Sequence, residues 1–423
     1  MLFRILFILF LISCYKFIPV FEPVGANYLL SLLILGSICY ETYKIWKNLS
    51  LNVDNKISIQ KIGYLTLIIC VSITIILNIH KDFPAGNVRY LRVLIILITI
   101  ILGGKIIKEI SNISLSNFIK NTVLIVFSTL SFMAIIEICF MFISLSHGGG
   151  EAYSGKIWNM RHWNPINKFG FRDENPKNAK KTVFFVGDSY TAGWGIKNIE
   201  QRFGEITAHE LKKKGTPTNE INLGRYGADT KLEYYLFENF IQKSNIKPKQ
   251  VVLQFFVNDM DNFIIRGNNC INKIEETKWE KIIKDGSYLA NYLFSLYPNN
   301  SQNNKLSKEC DYLEQLKYIY NTDSIWKKEE KQLNKFKNYC KENKIKLTIV
   351  FFPFMEDLKL AKSLNIENRI TRYCKKENIN LLNVTPLLLN TTREKRQVSI
   401  TDAHASAHVH KIVGKKLATL IKI

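Results

Sequence analysis

Ser189 closes the stretch Val183-Phe184-Phe185-Val186-Gly187-Asp188-Ser189, a polar hydroxyl set just past an apolar run. A serine that opens a helix after a strand can aim its hydroxyl and its own backbone N–H at one point. That is what an acyl-transfer nucleophile requires. Three other segments carry matching chemistry. Asn222-Leu223-Gly224-Arg225-Tyr226-Gly227 pairs polar groups with glycines that allow close backbone approach. Asn258-Asp259 directly follows the run Val251 to Val257, and Asp402-Ala403-His404 precedes the last helical pattern. Singly, each has a plain explanation as an N-cap, a turn, or a cap with a surface histidine. Jointly they supply each part of an acyl-transfer centre once: a hydroxyl, a base, a carboxylate to orient that base, and donors for an oxyanion.

The elements that must position these groups alternate. Strands are predicted at 182–187, 219–223, 249–257, 345–352 and 379–383, several of them continuous apolar runs suited to burial on both faces. Helices are predicted at about 200–214, 229–244, 324–343, 357–377 and 407–421. This alternation predicts a mainly parallel sheet between two helical layers, with function at the carboxyl ends of the strands. Residues 262–320 break the rhythm, are rich in Asn, Lys and Tyr, and read as an insertion. No Gly-rich phosphate loop follows any strand, so no nucleotide cofactor is expected. Asp402, His404, His408 and His410 could be written as a zinc-like ligand set. No second cluster completes it, so no metal is expected, and His408 and His410 are read as structural or surface residues of the following helix.

From about 155 to 421 the chain resembles an SGNH (GDSL-type) hydrolase. Gly170-Phe171-Arg172-Asp173, Val186-Gly187-Asp188-Ser189-Tyr190-Thr191-Ala192-Gly193-Trp194-Gly195-Ile196 and Phe255-Phe256-Val257-Asn258-Asp259 carry the likeness. The resemblance implies a flavodoxin-like three-layer α/β/α sandwich and ester hydrolysis or acyl transfer without a cofactor. It implies Ser189 as nucleophile, His404 as general base and Asp402 as its orienting acid. The Gly227 N–H and the Asn258 side-chain amide would join the Ser189 N–H as oxyanion donors. Two positions depart from the family pattern. Phe256 stands where a glycine is common, which would narrow the pocket, and Asp402-x-His404 is one residue shorter than the usual spacing.

Residues 1–146 read differently. Apolar stretches near 2–21, 27–46, 62–80, 90–108 and 121–145 approach or exceed the ~20 residues that a bilayer-spanning helix needs. About five spans are therefore expected, followed by a linker at 147–160 containing Gly148-Gly149-Gly150 and a hydrolase-like domain at 161–423. Lys44, Lys47, Lys56 and Lys61 in the second loop, and Lys105, Lys108 and Lys120 in the fourth, assign those loops to the cytoplasm. Residues 147–423 then lie outside. Glu137 interrupts the last span and is a functional intramembrane carboxylate, a group facing neighbouring helices, or one lying off-centre near an interface. Leu11-Ile12-Ser13-Cys14 resembles a lipoprotein cleavage box. Of the eight cysteines, none forms a CxxC pair, and a Cys270–Cys310 disulfide is open in an oxidising compartment.

The net charge is +22, of which +6 falls in residues 1–150 and +16 in 151–423. Its lysines are interleaved with Asn and Glu, as in Lys327-Lys328-Glu329-Glu330-Lys331, with no Arg-rich arm, so nucleic acid is not an expected partner. The expectation is a multi-pass, membrane-anchored serine esterase acting outside the cytoplasm on an acyl ester of an envelope glycan or lipid. An acyltransferase on an envelope glycan, and a non-catalytic glycan-binding module, are the alternatives.

Overall fold

The computed structural model describes residues 86–111, 116–147, 152–177, 179, 181–264, 278–296 and 311–422. The chain divides into two compact units, Met1–Ile138 and Cys139–Ile423. The expected spans at 2–21, 27–46 and 62–80, and the Gly148–Gly150 joint, lie outside the described residues.

In the first unit, α1 (Gly86–Ser111) and α2 (Asn117–Phe140) are long helices. Among the described residues, α2 alone is long and apolar enough to cross a membrane by length and composition. Its 24 residues extend ~36 Å at 1.5 Å per residue, more than a hydrocarbon core of about 30 Å. Phe118, Ile125, Leu130 and Phe132 are exposed along it, as a lipid-facing surface would be. Glu137 is ion-paired with Arg92 of α1 at 3.5 Å. Glu137 therefore faces a neighbouring helix.

The second unit carries a five-stranded parallel sheet. Its strands are β1 (Thr182–Gly187), β2 (Asn219–Gly224), β3 (Gln250–Phe255), β4 (Lys346–Phe351) and β5 (Asn380–Asn383). The spatial order is β2-β1-β3-β4-β5, the flavodoxin-type order. Parallel strands need crossovers, and helices supply them. The helices described in this unit are α3 (Tyr153–His162), α4 (Ser189–Ala192), α5 (Phe203–Lys213) and α6 (Thr230–Ser244), then α7 (Lys278–Gly286), α8 (Tyr288–Leu296), α9 (Tyr312–Asn321) and α10 (Asp323–Glu342). They are followed by α11 (Leu360–Ser363), α12 (Ile366–Lys376), α13 (Thr385–Leu388), α14 (Arg393–Arg396) and α15 (Ala407–Leu420). A two-stranded antiparallel ladder, β6 (Gln397–Ser399) with β7 (Asp402–Ala405), stands apart from the main sheet.

The strand alternation sorts the core into two layers. Phe184, Val186, Val251, Leu253, Ile349 and Phe351 pack against α6, α10 and α12 on one face. Val183, Phe185, Val252 and Val350 pack against α5 and α15 on the other. Val183–Val186 of β1 and Val251–Leu253 of β3 are continuously apolar because both faces are covered.

Three expectations change. The predicted 357–377 helix is two pieces, Leu360–Ser363 and Ile366–Lys376, separated at Asn365, whose φ of 67° lies in the left-handed region. The stretch read as a linker contains α3, with Ile157 and Trp158 buried. Asp402 and His404, expected in a loop, lie on β7. The described parts of the 262–320 insertion are helical, namely α7, α8 and α9. Cys340 and Cys374 are buried free thiols, while Cys270 and Cys310 lie outside the described residues.

Candidate active site

In this strand order the sheet reverses direction of build between β1 and β3, and the crevice beyond their carboxyl ends is where ligands collect. Ser189 is the first residue of α4, directly beyond β1. Asp188 caps that helix by accepting the Tyr190 N–H at 2.8 Å. The short helix is held to the sheet by two strands, β3 and β2. Gln254 of β3 uses its Oε1 to accept the Asp188 N–H at 2.9 Å and the Thr191 hydroxyl at 3.0 Å. Asn222 of β2 donates from Nδ2 to the Thr191 carbonyl at 2.9 Å and accepts the Gly224 N–H at 2.9 Å. Gly224 allows β2 to press on α4, since a Cβ there would sit 2.2 Å from the Ala192 nitrogen.

The Gly170–Asp173 block braces the same corner. Arg172, buried, donates to the carbonyls of Gly193 at 2.6 Å and Ile196 at 2.6 Å, tying down the loop after α4. Asp173 accepts the Asn222 N–H at 2.9 Å and pairs with the fully buried Arg202, which also pairs with Glu205. Asp173, Glu205 and Glu220 bring carboxylate oxygens within 4.8 Å of one another, and Arg202 already supplies a cation to two of them.

His404 reaches Ser189 from β7. Its Nε2 lies 2.9 Å from the Ser189 Oγ, and its Nδ1 lies 2.6 Å from Asp402 Oδ1. The one-residue spacing between Asp402 and His404 is what a strand permits, because residues two apart share a face. The His404 N–H also donates to Asp402 Oδ1, at 3.1 Å. Burial alone would raise the Asp402 pKa, but hydrogen bonds from His404 and Ser146 outweigh it and hold the carboxyl below its ordinary value. The Ser146 hydroxyl donates to Asp402 Oδ2. The Asp188 carboxyl behaves oppositely. Its complete burial raises its pKa, against the Tyr190 N–H, the charge of His404 and the amides of Asn258 and Gln254.

The structure thus joins Ser189, His404 and Asp402 in one hydrogen-bonded line. Asn258 lies in a 3-10 turn, Val257–Phe263, with its amide acting on Asp188, the neighbour of Ser189. Asp259 beside it is fully buried and accepts the Phe256 N–H at 2.6 Å and the Thr230 hydroxyl at 3.1 Å, a structural role. Gly227 has a φ of 68°, and a Cβ there would meet nothing within 4 Å. Phe256 packs its ring 4.6 Å from Tyr190, whose own ring is 5.4 Å from His404. Of the four residues of the zinc-like reading, Asp402 and His404 meet each other, at 2.6 Å, and the other two lie elsewhere. His408 is exposed, whereas His410 is buried, accepts the Phe203 N–H at 3.1 Å and stacks on that ring.

Several contributors carried weak sequence signals. Gln254 is a polar residue inside an apolar buried strand, a placement that demands partners and was the readable hint. Ser146, at the end of an apolar run, gave none. Trp163, Trp194 and Tyr226 form an aromatic rim, with Trp163 and Trp194 rings 5.1 Å apart, Trp194 and Tyr226 5.7 Å apart, and Trp194 6.0 Å from His404. Tyr226 is 52% exposed, so this rim meets solvent.

A scan of family models and a search of curated proteins each found no match. Among solved structures, the chain is similar to a protein described as lipolytic and of the G-D-S-L family from Desulfitobacterium hafniense. The identity is 13% and the TM-score 0.35, over 57% of this chain and 100% of that one. It is also similar to the acetyl xylan esterase AlAXEase at 17% identity and TM-score 0.35, over 57% and 100%. An acetylxylan esterase from Geobacillus stearothermophilus gives 12% identity and TM-score 0.35, over 57% and 94%. Scores of this size leave the chemistry to the geometry of the site itself.

Proposed function

We propose that the second unit is a serine esterase of SGNH type that cleaves acyl esters through an acyl-enzyme. The observation that carries this reading is the line from Ser189 Oγ through His404 to Asp402, at 2.9 and 2.6 Å. His404 takes the Ser189 proton as the oxygen attacks the acyl carbonyl, and returns it to the departing alkoxide. Water then repeats the sequence on the acyl-enzyme. Asp402 holds the imidazole in the tautomer that leaves Nε2 free to accept. Its depressed pKa keeps it a carboxylate at neutral pH. The Ser189 N–H, the Gly227 N–H and one Asn258 amide proton stabilise the oxyanion, while Asn258's second amide proton serves Asp188.

The substrate is assigned to an acyl group on an envelope glycan. The exposed Tyr226 and the half-buried Trp163 beside it support this, because flat aromatic faces bury the apolar faces of sugar rings. The helix Asn117–Phe140 supports membrane anchorage. Lys105 and Lys108 precede it, Lys120 lies in its first turn, and no Lys or Arg follows it until Lys156. Under the positive-inside rule that leaves the catalytic unit outside the cytoplasm.

The full-length chain should react with a fluorophosphonate probe and turn over an activated acetyl ester. Ser189→Ala should abolish labelling and lower kcat by ~10⁴-fold or more. Equal labelling of the Ser189→Ala protein would remove Ser189 as nucleophile.

A further inference from the structure

The peptide that leaves the apolar helix α2 ends inside the catalytic site. α2 stops at Phe140, and Ser146 and His147 follow within a few residues. Ser146 is buried, and its hydroxyl donates to Oδ2 of Asp402, the oxygen that His404 does not use. Its carbonyl accepts the Thr401 hydroxyl at 3.2 Å and the Ser399 hydroxyl at 3.4 Å, from the turn that precedes Asp402. The His147 carbonyl accepts Trp194 Nε1 at 3.1 Å, and the Trp194 ring lies 6.0 Å from His404. Two consecutive residues therefore brace both flanks of the histidine, one through Asp402 and one through Trp194.

We infer that Ser146 is a positioning residue for the esterase reaction, so that the segment joined to the apolar helix is part of the catalytic machinery rather than a passive tether. This rests on the proposed triad. A carboxylate turns easily about its last side-chain bond, since that torsion is broad and two-fold. Asp402 has no solvent exposure, so an oxygen left without a donor there is costly and the group reorients to find one. Ser146 pins Oδ2, which fixes Oδ1 on Nδ1 of His404 and thereby fixes Nε2 on Ser189. The effect falls on proton transfer and not on substrate contact.

The test compares Ser146→Ala, Ser146→Cys and Ser146→Thr in the full-length chain, with fluorophosphonate labelling rate, kcat, KM and melting temperature as readouts. Ala removes the donor, Cys keeps the size with a weak donor, and Thr restores the hydroxyl. Ala and Cys should lower kcat and the labelling rate by ~10- to 100-fold with KM unchanged, the size expected for a hydrogen bond to a charged group. Thr should recover most of the loss. Unchanged kcat in Ala and Cys would overturn the inference. So would a rise in KM alone, or a loss shared by Thr that tracks the melting temperature. Failure of the wild-type chain to label would instead strike the parent reading, so the two failures are distinguishable.

Discussion

The two sides of the site are built by different means. Ser189 stands on the main sheet, its helix fixed by Gln254 of β3, Asn222 of β2 and the close approach of Gly224. His404 stands on a two-stranded ladder outside that sheet, fixed by Asp402 and, through it, by Ser146. The Ser189 side, the proposed nucleophile, draws its rigidity from core packing shared with the whole α/β unit. The His404 side, the proposed base, draws it from a few hydrogen bonds to one carboxylate. Damage to the first should therefore appear as lost stability, and damage to the second as lost turnover in a protein that remains folded.

The largest effect expected on the base side comes from Asp402→Asn. The amide keeps the shape but favours the wrong imidazole tautomer, so kcat should fall by about 10⁴-fold. Melting temperature should change little, and a parallel collapse of melting temperature would blur the distinction between the two sides. On the nucleophile side, Gly224→Ala drives a methyl to 2.2 Å from the Ala192 nitrogen, so α4 must shift. It should cost roughly 1–3 kcal/mol by thermal or denaturant unfolding. Fluorophosphonate labelling should fall with it. A variant of full stability and full labelling would show that the sheet does not grip α4 as described.

A third, smaller effect concerns His410, in the core behind Ser189. Burial first, then the charges of Arg202, Arg172 and His404, push its pKa down to about 3. Native His410 therefore stays neutral while the unfolded chain takes up a proton below an ordinary pKa of about 6.5. Stability from this group is full above that value and is lost as pH falls through the window down to about 3, by about 1.4 kcal/mol per pH unit. His410→Asn, whose side-chain oxygen can still accept the Phe203 N–H, should flatten the acid slope of unfolding free energy relative to wild type. An unchanged slope would show that His410 is protonated in the native core.

Much of the second unit was legible in the residues. Apolar runs such as Val183–Val186 and Val251–Leu253 are strands because only a doubly covered parallel sheet buries such segments on both faces. The groups of one chemistry stood at their carboxyl ends. The N-terminal unit was legible chiefly as hydropathy, and its described helices add an Arg92–Glu137 pair that no local pattern announces.

The sequence by itself determined the strand order's raw material, the helix-opening serine and the choice of groups able to move a proton, since these depend on local periodicity and residue chemistry. Only the tertiary structure decided which histidine meets Ser189. His404, His408 and His410 are near neighbours in sequence, yet one meets Ser189, one faces water and one is buried against Phe203. The strand geometry of β7 made the short Asp402-x-His404 spacing workable by placing both side chains on one face. Ser146 was beyond reach of any reading of spacing, because it lies 256 residues from the carboxylate it holds. Contacts of that kind are set by how the chain closes on itself, and no local preference encodes them.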